Sequence, residues 1–268
     1  MGFHKIYNIG ISLYSLMISV SAFFGNERAQ KWVLGRKKMK DINSNQISKD
    51  GYDFWFRCSS LGEFEQAGPM IDSLKTKYNK STLLSFFSPS GYDIRKNYKN
   101  ADLVVYLPID TKKNAKLFLD KYKPKNVVWV KYDFWLNFLS EIKNNEIPLY
   151  LIALIVDKES LSLFKNNLYK RAFSYFKHIF TQNKQTEQYV SSVISNSKVD
   201  TVGDPRIDQV YNISNKKHTI EGLNEFIDNK KVIIGGSTYN KENQFIERYI
   251  NDKDIKVLIA PPDMNKVL

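Results

Sequence analysis

The chain has 268 residues, of which 43% are hydrophobic, so it can bury a full core and is not predominantly disordered. Forty Lys and Arg residues against 28 Asp and Glu residues give a formal net charge of +12. This charge favours an acidic partner such as an anionic membrane, nucleic acid or a phosphorylated substrate. The single cysteine, Cys58, excludes an intramolecular disulfide framework and a cysteine-based zinc site.

The first predicted element is an apolar segment, Ile6 to Phe24, that carries no charge and is long enough to cross a bilayer or to lie along its surface. Basic residues follow it at Arg28, Lys31, Arg36, Lys37, Lys38 and Lys40. This flank favours a membrane anchor over a cleaved signal peptide and predicts a globular part on the cytoplasmic face, against anionic lipid. Residues 1–40 are therefore interpreted as an anchor, with a solvated basic linker as the alternative for the flank.

Six short apolar runs then alternate with segments of helical periodicity. The runs are 53–58, 82–87, 103–108, 126–131, 149–154 and 178–182, and the helical segments are 65–77, 90–98, 112–122, 135–144, 161–176 and 186–195. This alternation predicts a doubly wound α/β domain whose parallel sheet is covered on both faces. Ligands of such sheets bind at the carboxyl ends of the strands, in the loops after Cys58, Phe87, Pro108 and Lys131.

A turn at Val202 to Arg206 leads into a polar stretch, and residues 209–229 are interpreted as an interdomain linker. The alternation resumes with a strand and a Gly-rich turn at 232–238, a helix at 240–250, and a strand and turn at 256–262. Two strands and one helix cannot bury a core of their own. Residues 230–268 are therefore expected to be the incomplete start of a second α/β domain.

The segment CSSLGEFEQAGP, residues 58–69, carries the clearest candidate for chemistry. Ser59 and Ser60 provide hydroxyls, Gly62 permits a tight turn, and Glu63 follows where the next helix begins. A partly desolvated carboxylate at this edge could take a proton from an incoming hydroxyl. Glu63 could also merely complement the helix N-terminus, and spacing alone favours that plainer interpretation.

This segment and five others, in their order and spacing, resemble the bacterial 3-deoxy-D-manno-octulosonate (Kdo) transferase family. The others are FFSPSGYDIRKNY (86–98), YLPIDTKKNAKLFLDKYKP (106–124), VKYDFW (130–135), GDPRID (203–208) and GGST (235–238). The resemblance implies a glycosyltransferase of the GT-B type with two Rossmann-like domains. The acceptor-binding domain would span residues 41–208, and the donor-binding domain would begin at residue 230.

The resemblance also implies a reaction and its partners. Kdo would pass from CMP-Kdo to a lipid A precursor, lipid IVA, with inversion at the anomeric carbon, in lipopolysaccharide biosynthesis. No metal and no other cofactor would take part, and the enzyme would lie on the cytoplasmic face of the inner membrane. The aromatic residues are not interleaved with basic ones in the manner of nucleic-acid-binding proteins, so nucleic acid is not expected as a partner.

Individual residues acquire roles from the resemblance. Glu63 maps onto the general base of the family, which overturns the plainer interpretation. Arg206 maps onto a basic residue that could stabilise charge on the donor phosphate or carboxylate. Where the family pattern reads Glu-x-Glu-Leu-Trp, this chain has Lys131 in place of the first acid and keeps an acid at Asp133. Which of these two takes over the acidic role stays open, as does a structural pairing between them.

The candidate binding residues form two groups. The acceptor side comprises Ser59, Ser60, Gly62, Ser90, Gly91 and Arg95, and the donor side comprises Ser237, Thr238, Pro261 and Pro262. Arg95 could face acceptor phosphates, although a solvated helix face explains it equally well. Pro262 stands where the family tends to have a basic residue or histidine, and proline offers no side-chain donor to an anion.

Two further hypotheses stay open. One is a different membrane-bound GT-B glycosyltransferase, because fold analogy does not fix the sugar. The other is a non-catalytic membrane-associated binding protein, because the later glycine-rich and His-Asn-x-x-Glu segments of the family have no counterpart before Leu268.

Overall fold

The computed structural model describes residues 2–40, 47–156, 167–194, 198–215, 220–251 and 253–261. The chain forms two compact units, Met1–Ile213 and Ser214–Leu268. The first unit opens with two helices, α1 (Gly2–Phe23) and α2 (Glu27–Lys40). The turn between them contains Gly25 with φ of +90°, a conformation that glycine adopts without steric cost. The basic flank of the apolar segment is therefore itself helical.

The rest of the first unit is an α/β domain. Its strands are β1 (Phe54–Cys58), β2 (Thr82–Phe86), β3 (Leu103–Tyr106), β4 (Val127–Val130), β5 (Leu149–Leu154), β6 (His178–Thr181) and β7 (Lys198–Thr201). Its helices are α3 (Leu61–Tyr78), α4 (Pro89–Arg95), α5 (Lys112–Tyr122), α6 (Leu136–Asn144), α7 (Asn167–Phe173), α8 (Lys184–Val193) and α9 (Arg206–Ser214). The strand order is β3-β2-β1-β4-β5-β6-β7 and every neighbouring pair is parallel. The predicted doubly wound α/β fold is confirmed.

Both faces of the sheet are covered, as the nearly continuous apolar strand sequences require. Trp55 points to one face, where Phe118 of α5 and Phe138 of α6 pack against it with ring centroids 4.7 and 5.9 Å away. Phe56, the next residue, points to the opposite face and joins the cluster that contains Phe64 of α3. Successive residues of one central strand thus anchor two separate core layers.

Helix α1 packs one side against the α/β domain and leaves the other side exposed. Near its start, Tyr7 donates a hydrogen bond to Asp110 (2.5 Å) and Asn8 accepts one from Asn137 (2.9 Å). Half-way along, Tyr14 stacks on Phe87 at 6.4 Å between ring centroids. The segment Lys5–Phe23 is long and apolar enough to cross a membrane, with a mean hydropathy of 1.5. Its large exposed apolar side chains are Ile6, Ile9, Leu13, Tyr14, Leu16, Met17, Val20 and Phe23.

The second unit contains α10 (Leu223–Ile227), β8 (Lys231–Gly236), α11 (Asn240–Ile250) and β9 (Ile255–Ala260). Strands β8 and β9 form a two-stranded parallel sheet of their own. Apolar side chains of this unit remain uncovered, with Ile234 and Phe245 exposed to 74% and 73%. A two-stranded sheet with two short helices is too small to bury such residues.

Sequence analysis missed β7, α9 and the short helix α10, which lies within the predicted linker. Strand β7 reads Lys-Val-Asp-Thr at the edge of the sheet, so it carries only one strongly apolar residue. Helix α9 begins at Arg206, inside the stretch interpreted as a turn and linker, and its apolar residues Ile207 and Val210 are exposed. Of the predicted helix at 161–176, residues 161–166 lie outside the described part of the chain and Asn167–Phe173 is helical.

Candidate active site

The strand order of the sheet reverses between β1 and β4, which places a crevice at the carboxyl ends of these two strands. The loop after β1 carries Ser59 and leads to Glu63 in the first turn of α3. The loop after β4 carries Lys131 and Asp133. Parallel pairing of β1 with β4 brings the two loops together, so four of the residues singled out in the sequence meet at this point.

Arg57, in β1, connects the two loops. It is fully buried, and its Nη2 lies 2.6 Å from Oδ2 of Asp133 while its Nη1 lies 3.8 Å from Oε2 of Glu63. The rings of Trp129 and Trp135 also lie against the guanidinium, with their centroids 4.6 and 4.7 Å from Cζ. The cation is therefore fixed by aromatic rings and compensated by two carboxylates.

Glu63 is nearly buried, with 8% of its surface exposed. Its carboxylate accepts a hydrogen bond from the backbone N–H of Ser59, four residues earlier. Burial raises the pKa of Glu63 above the ordinary value, against the opposing effects of Arg57 and the Ser59 N–H. The nearby charge of Asp133 also raises the pKa, and that of Lys131 lowers it. A carboxylate with a raised pKa is a stronger proton acceptor than an exposed one.

Asp133 has the opposite electrostatic character. Its side chain is 47% exposed and accepts hydrogen bonds from Nη2 of Arg57 (2.6 Å) and from the hydroxyl of Ser59 (2.5 Å). Desolvation in the crevice disfavours its charge, but Arg57 and Ser59 outweigh this and hold the pKa of Asp133 below its ordinary value. The two carboxylates thus share one arginine while their pKa values are pushed apart, a pattern that separates a base from a permanent anion.

Lys131 directly follows β4 and has a left-handed conformation with φ of +60°. Its backbone N–H still donates to the carbonyl of Ile152 in β5 (3.0 Å), so the bend occurs directly at the sheet edge. A non-glycine residue in this region carries strain of roughly 1–3 kcal/mol, and such strain often marks functional sites. The bend turns the chain toward Asp133 and Trp135.

A cavity of about 580 Å³ lies between the α1–α2 hairpin and the loops after β1 and β2. We call it the serine-lined cavity. One wall is apolar and includes Tyr14, Met17, Ile18, Trp32 and Phe87. The other wall carries the hydroxyls of Ser59, Ser60, Ser88 and Ser90. The predicted acceptor-side serines are therefore brought together, and Ser59 connects this cavity to Asp133.

The two predicted glycines behave differently. Gly62 was expected to permit a tight turn, and this is wrong: it is the second residue of α3, has no positive φ, and a Cβ there would meet nothing closer than 4.0 Å. The helix simply begins earlier than its apolar pattern suggests. A Cβ on Gly91 would lie 2.4 Å from the ring of Phe86 and 3.1 Å from the backbone of Leu61. Gly91 thus allows α4 to pack against the start of α3.

Arg95 and Arg206 are not part of this cluster. Arg95 forms an ion pair with Glu65 (2.8 Å), and Glu65 also accepts a hydrogen bond from Gln209 of α9. Arg206 starts α9, is 58% exposed in its side chain and pairs with Asp204. Among the described contacts, neither arginine touches Glu63 or Asp133.

The predicted donor-side residues lie in the second unit. Ser237 has φ of +56° and donates its N–H to the carbonyl of Ala260 (2.7 Å), which joins the ends of β8 and β9. Thr238 has a buried hydroxyl that lacks a hydrogen-bond partner within the described part of the chain. Pro261 follows β9, and Pro262 lies outside the described residues.

The residue that sequence reasoning missed is Arg57. Its signal was present, because it is the only charged residue in the strand sequence Phe-Trp-Phe-Arg-Cys. A charge in a strand buried on both faces must find a compensating partner, so it marks a polar cluster inside the core. The partner on β4 could not be identified without the strand order.

Comparisons with known proteins support one family. A family model described as 3-deoxy-D-manno-octulosonic-acid transferase (kdotransferase) matches residues 26–209. A bifunctional glycosyltransferase/methyltransferase of Fusobacterium nucleatum is 28% identical over 252 residues, which cover 87% of this chain and 38% of that protein. The 3-deoxy-D-manno-octulosonic acid transferase of Chlamydia trachomatis is 20% identical over 260 residues, covering 93% of this chain and 59% of the relative. The chain therefore matches less than two thirds of the length of each of these relatives.

Solved structures show the same fold. A UDP-N-acetylglucosamine 2-epimerase superposes with a TM-score of 0.57 at 14% identity, covering 78% of this chain and 61% of the epimerase. The epimerase from Neisseria meningitidis, bound to UDP-GlcNAc, gives the same TM-score and identity and covers 78% of this chain and 72% of that one. At such low identity the likeness concerns the fold alone.

Proposed function

Because the chain belongs to the 3-deoxy-D-manno-octulosonic-acid (Kdo) transferase family, we propose that it contributes the acceptor-binding and base-bearing part of an enzyme that transfers Kdo from CMP-Kdo to lipid IVA. The family membership agrees with the resemblance found in the sequence. The observation that carries the proposal is the Arg57–Glu63–Asp133 cluster at the crevice between β1 and β4.

Glu63 is the proposed general base. It takes the proton of an acceptor hydroxyl while that oxygen forms a bond to the anomeric carbon of Kdo. The bond from this carbon to the phosphate oxygen breaks, and CMP leaves with the electron pair, which inverts the anomeric centre. Burial supports this role because it raises the pKa of Glu63 and so strengthens its basicity.

Asp133 is the proposed replacement for the acidic function of the family motif. It stays ionised, and it binds both Arg57 and the Ser59 hydroxyl, so it fixes the loop whose N–H holds Glu63. Lys131 brings a cation to the same edge, where it can stabilise the Kdo carboxylate or the departing phosphate. Arg206 is the second proposed cation for the donor, and its pairing with Asp204 would have to be exchanged for the ligand.

The serine-lined cavity is the proposed acceptor site. Its apolar wall is formed largely by α1 and α2 and suits acyl chains, whereas its serine wall suits sugar hydroxyls and phosphate oxygens. Ser59 belongs to both the cavity and the catalytic cluster. An acceptor held here would extend from the apolar helices toward Glu63. Gly62 and Arg95 contribute through the backbone of α3 and the Glu65 pair rather than by contact with this cavity.

We further propose that α1 lies in the plane of the membrane surface, on the cytoplasmic face of the inner membrane. A helix surrounded by lipid could not also bind Asp110 and Asn137 of a water-soluble domain. Helix α1 instead offers one apolar side to lipid, next to the basic residues of α2. Residues 1–40 would then anchor the domain without crossing the bilayer.

Substitutions that add negative charge to the exposed side of α1 test this placement. Leu13→Glu with Leu16→Glu should release the protein from membranes into the soluble fraction, because both side chains are exposed and would meet lipid. Asn97→Glu with Asn144→Glu adds the same charge at exposed polar positions and should leave the protein membrane-bound. Equal distributions of the two double variants after centrifugation would contradict the proposal.

The donor side belongs to the second unit in this proposal. Ser237, Thr238 and the residues at Pro261 and Pro262 would face CMP-Kdo, as the beginning of a donor-binding domain over residues 230–268. The linker would follow α9, since the two compact units divide after Ile213 rather than at residue 208. Helix α9 would accordingly belong to the acceptor-binding domain.

The decisive experiment replaces Glu63 by Gln in a protein that carries a complete donor-binding domain. The variant keeps size and polarity but loses basicity, so turnover with CMP-Kdo and lipid IVA should fall by about 10²- to 10⁴-fold while donor affinity stays nearly unchanged. Glu65→Gln is the matched control, because it removes a carboxylate two residues away that pairs with Arg95. Wild-type turnover in Glu63→Gln, with loss of turnover in Asp133→Asn, would reassign the base to Asp133.

A further inference from the structure

A second cavity, of about 480 Å³, lies on the other side of the α1–α2 hairpin, against the loop after β3 and helix α5. We call it the basic cavity. Of the residues that line the serine-lined cavity, it shares only Trp32. The proposed acceptor site does not use it.

Its walls combine apolar surface with positive charge. The apolar part includes Val33 of α2 and Leu117 and Phe118 of α5. Three cations also line the cavity: Arg36 and Lys37 of α2 and Lys121 of α5. None of its lining residues is acidic, and none of the three cations forms an ion pair within the described part of the chain.

Arg36 is held without a carboxylate. Its Nη2 donates to the carbonyl of Phe87 (2.7 Å) and its Nη1 to the carbonyl of Trp32 (3.2 Å). Its guanidinium also lies 3.7 Å from the centroid of the Trp32 ring. Its Nε is buried and has no hydrogen-bond partner among the described residues. Burial lowers the pKa of Arg36, which reflects a desolvated charge that no anion offsets.

The lining of the cavity indicates which kind of anion fits it. Ser15 and Ser19 of α1 form part of its wall, on the helix that lies at the membrane surface under the proposed function, on which this inference rests. Leu117, at 55% exposure, extends the apolar wall outward. A free phosphate would satisfy the cations but leave this apolar wall in contact with water. An anionic lipid satisfies both.

We propose that the basic cavity binds one anionic phospholipid from the membrane, with its phosphate near Arg36, Lys37 and Lys121 and an acyl chain against Val33, Leu117 and Phe118. The lipid is a structural ligand that holds the α1–α2 hairpin on the domain. The site requires no sugar donor and no acceptor.

Binding by the full chain in neutral detergent tests the proposal. Native mass spectrometry and calorimetric titration would compare short-chain phosphatidylglycerol, phosphatidylcholine with the same chains, and inorganic phosphate. One phosphatidylglycerol should bind per chain, at least about tenfold more tightly than either of the other probes. Phosphatidylcholine that binds equally well would show an apolar cavity without charge selection, and phosphate that binds equally well would show an ion site without a lipid. Either result overturns the proposal.

Matched variants locate the site. Lys37→Gln with Lys121→Gln should weaken phosphatidylglycerol binding about 30-fold, at ~1 kcal/mol per lysine. Lys112→Gln with Lys116→Gln removes the same charge from exposed positions of α5 that do not line the cavity, and should change binding little. Equal weakening by the two pairs would mean a general surface effect and would overturn the proposal.

Two further variants complete the test. Val33→Trp fills the cavity without a change in charge and should abolish one-to-one binding in protein whose circular dichroism matches the wild type; retained binding in such protein overturns the proposal. Should that variant not fold, the lysine pairs decide. Glu63→Gln should bind phosphatidylglycerol as the wild type does, because the basic cavity does not involve the catalytic cluster. Lipid binding and Kdo transfer can therefore fail independently.

Discussion

Arg57 and Arg36 are two arginines whose guanidinium groups lie against aromatic rings, but only the charge of Arg57 is compensated by carboxylates. Arg57 lies between Trp129 and Trp135 and meets two carboxylates, Glu63 and Asp133. Arg36 lies over Trp32 and donates to two backbone carbonyls, with no carboxylate among its described partners. Rings and carbonyls fix the position of a guanidinium, but only an anion offsets its charge. The first environment therefore suits a preorganised catalytic cluster, and the second suits a ligand that supplies the anion.

The largest expected difference between the two arginines is the effect of their replacement on the free energy of unfolding. Arg57→Met leaves Asp133 and the nearly buried Glu63 without their cation, so the free energy of unfolding should fall by about 3–5 kcal/mol. Arg36→Met strands no carboxylate and should cost about 1 kcal/mol or less, because the aliphatic side chain keeps its packing against the rings. Urea unfolding of the full chain measures both. Equal losses would show that the carboxylates around Arg57 do not make its environment different from that of Arg36.

The pH profile of turnover sharpens the comparison. Arg57 lowers the pKa of Glu63 against the effect of burial, so Arg57→Gln should move the acidic limb of kcat/KM to higher pH. Arg57→Lys keeps a cation and should move that limb less. Arg36→Gln should leave it in place, since Arg36 does not act on Glu63. The measurement is kcat/KM against pH in protein with a complete donor-binding domain; an unmoved limb in Arg57→Gln would remove the proposed link between Arg57 and the base.

The smallest expected effect is on the pH dependence of the free energy of unfolding. Burial raises the pKa of Glu63 in the folded state above its unfolded value, so folding takes up a proton at pH values between the two. This contribution is fully present below the unfolded pKa and is lost as the pH rises through the folded pKa. Compared with Glu63→Gln, the wild type should therefore lose stability as the pH rises above the ordinary pKa of a glutamate side chain. Parallel urea midpoints for the two proteins across this range would show instead that Glu63 titrates as it does in the unfolded chain.

The alternation of strands and helices could be predicted because strands that are buried on both faces have short, continuous apolar sequences. The location of Glu63 also followed from the sequence, since the end of β1 and the start of α3 are adjacent in the chain. Strand β7 and helix α9 could not be recognised, because an edge strand and an exposed helix carry little apolar periodicity. The resemblance to the family covers the same part of the chain, but it identifies individual residues and does not locate these two elements.

The Arg57–Asp133 contact, in contrast, could not be predicted from the local sequence. It joins residues 76 positions apart, and it depends on the placement of β4 beside β1. The hydrophobic pattern of the strands does not encode that order. The packed side of α1 was hidden for the same reason, because Tyr7 and Asn8 are polar contacts of a helix whose overall composition suggested only lipid.

The parallel pairing of β1 with β4 has a consequence for the nascent chain. Trp55 pairs with Val127, so β1 must await a strand that leaves the ribosome about 70 residues later, roughly 4–14 s at common rates of synthesis. During that interval β1 can already pair with β2, and β2 with β3, while the other side of β1 is an open edge. Arg57 then places a charge on an otherwise apolar edge strand, and charged edges resist pairing with a neighbouring chain. The cation that later orders the catalytic carboxylates would thus first protect the half-made sheet from aggregation.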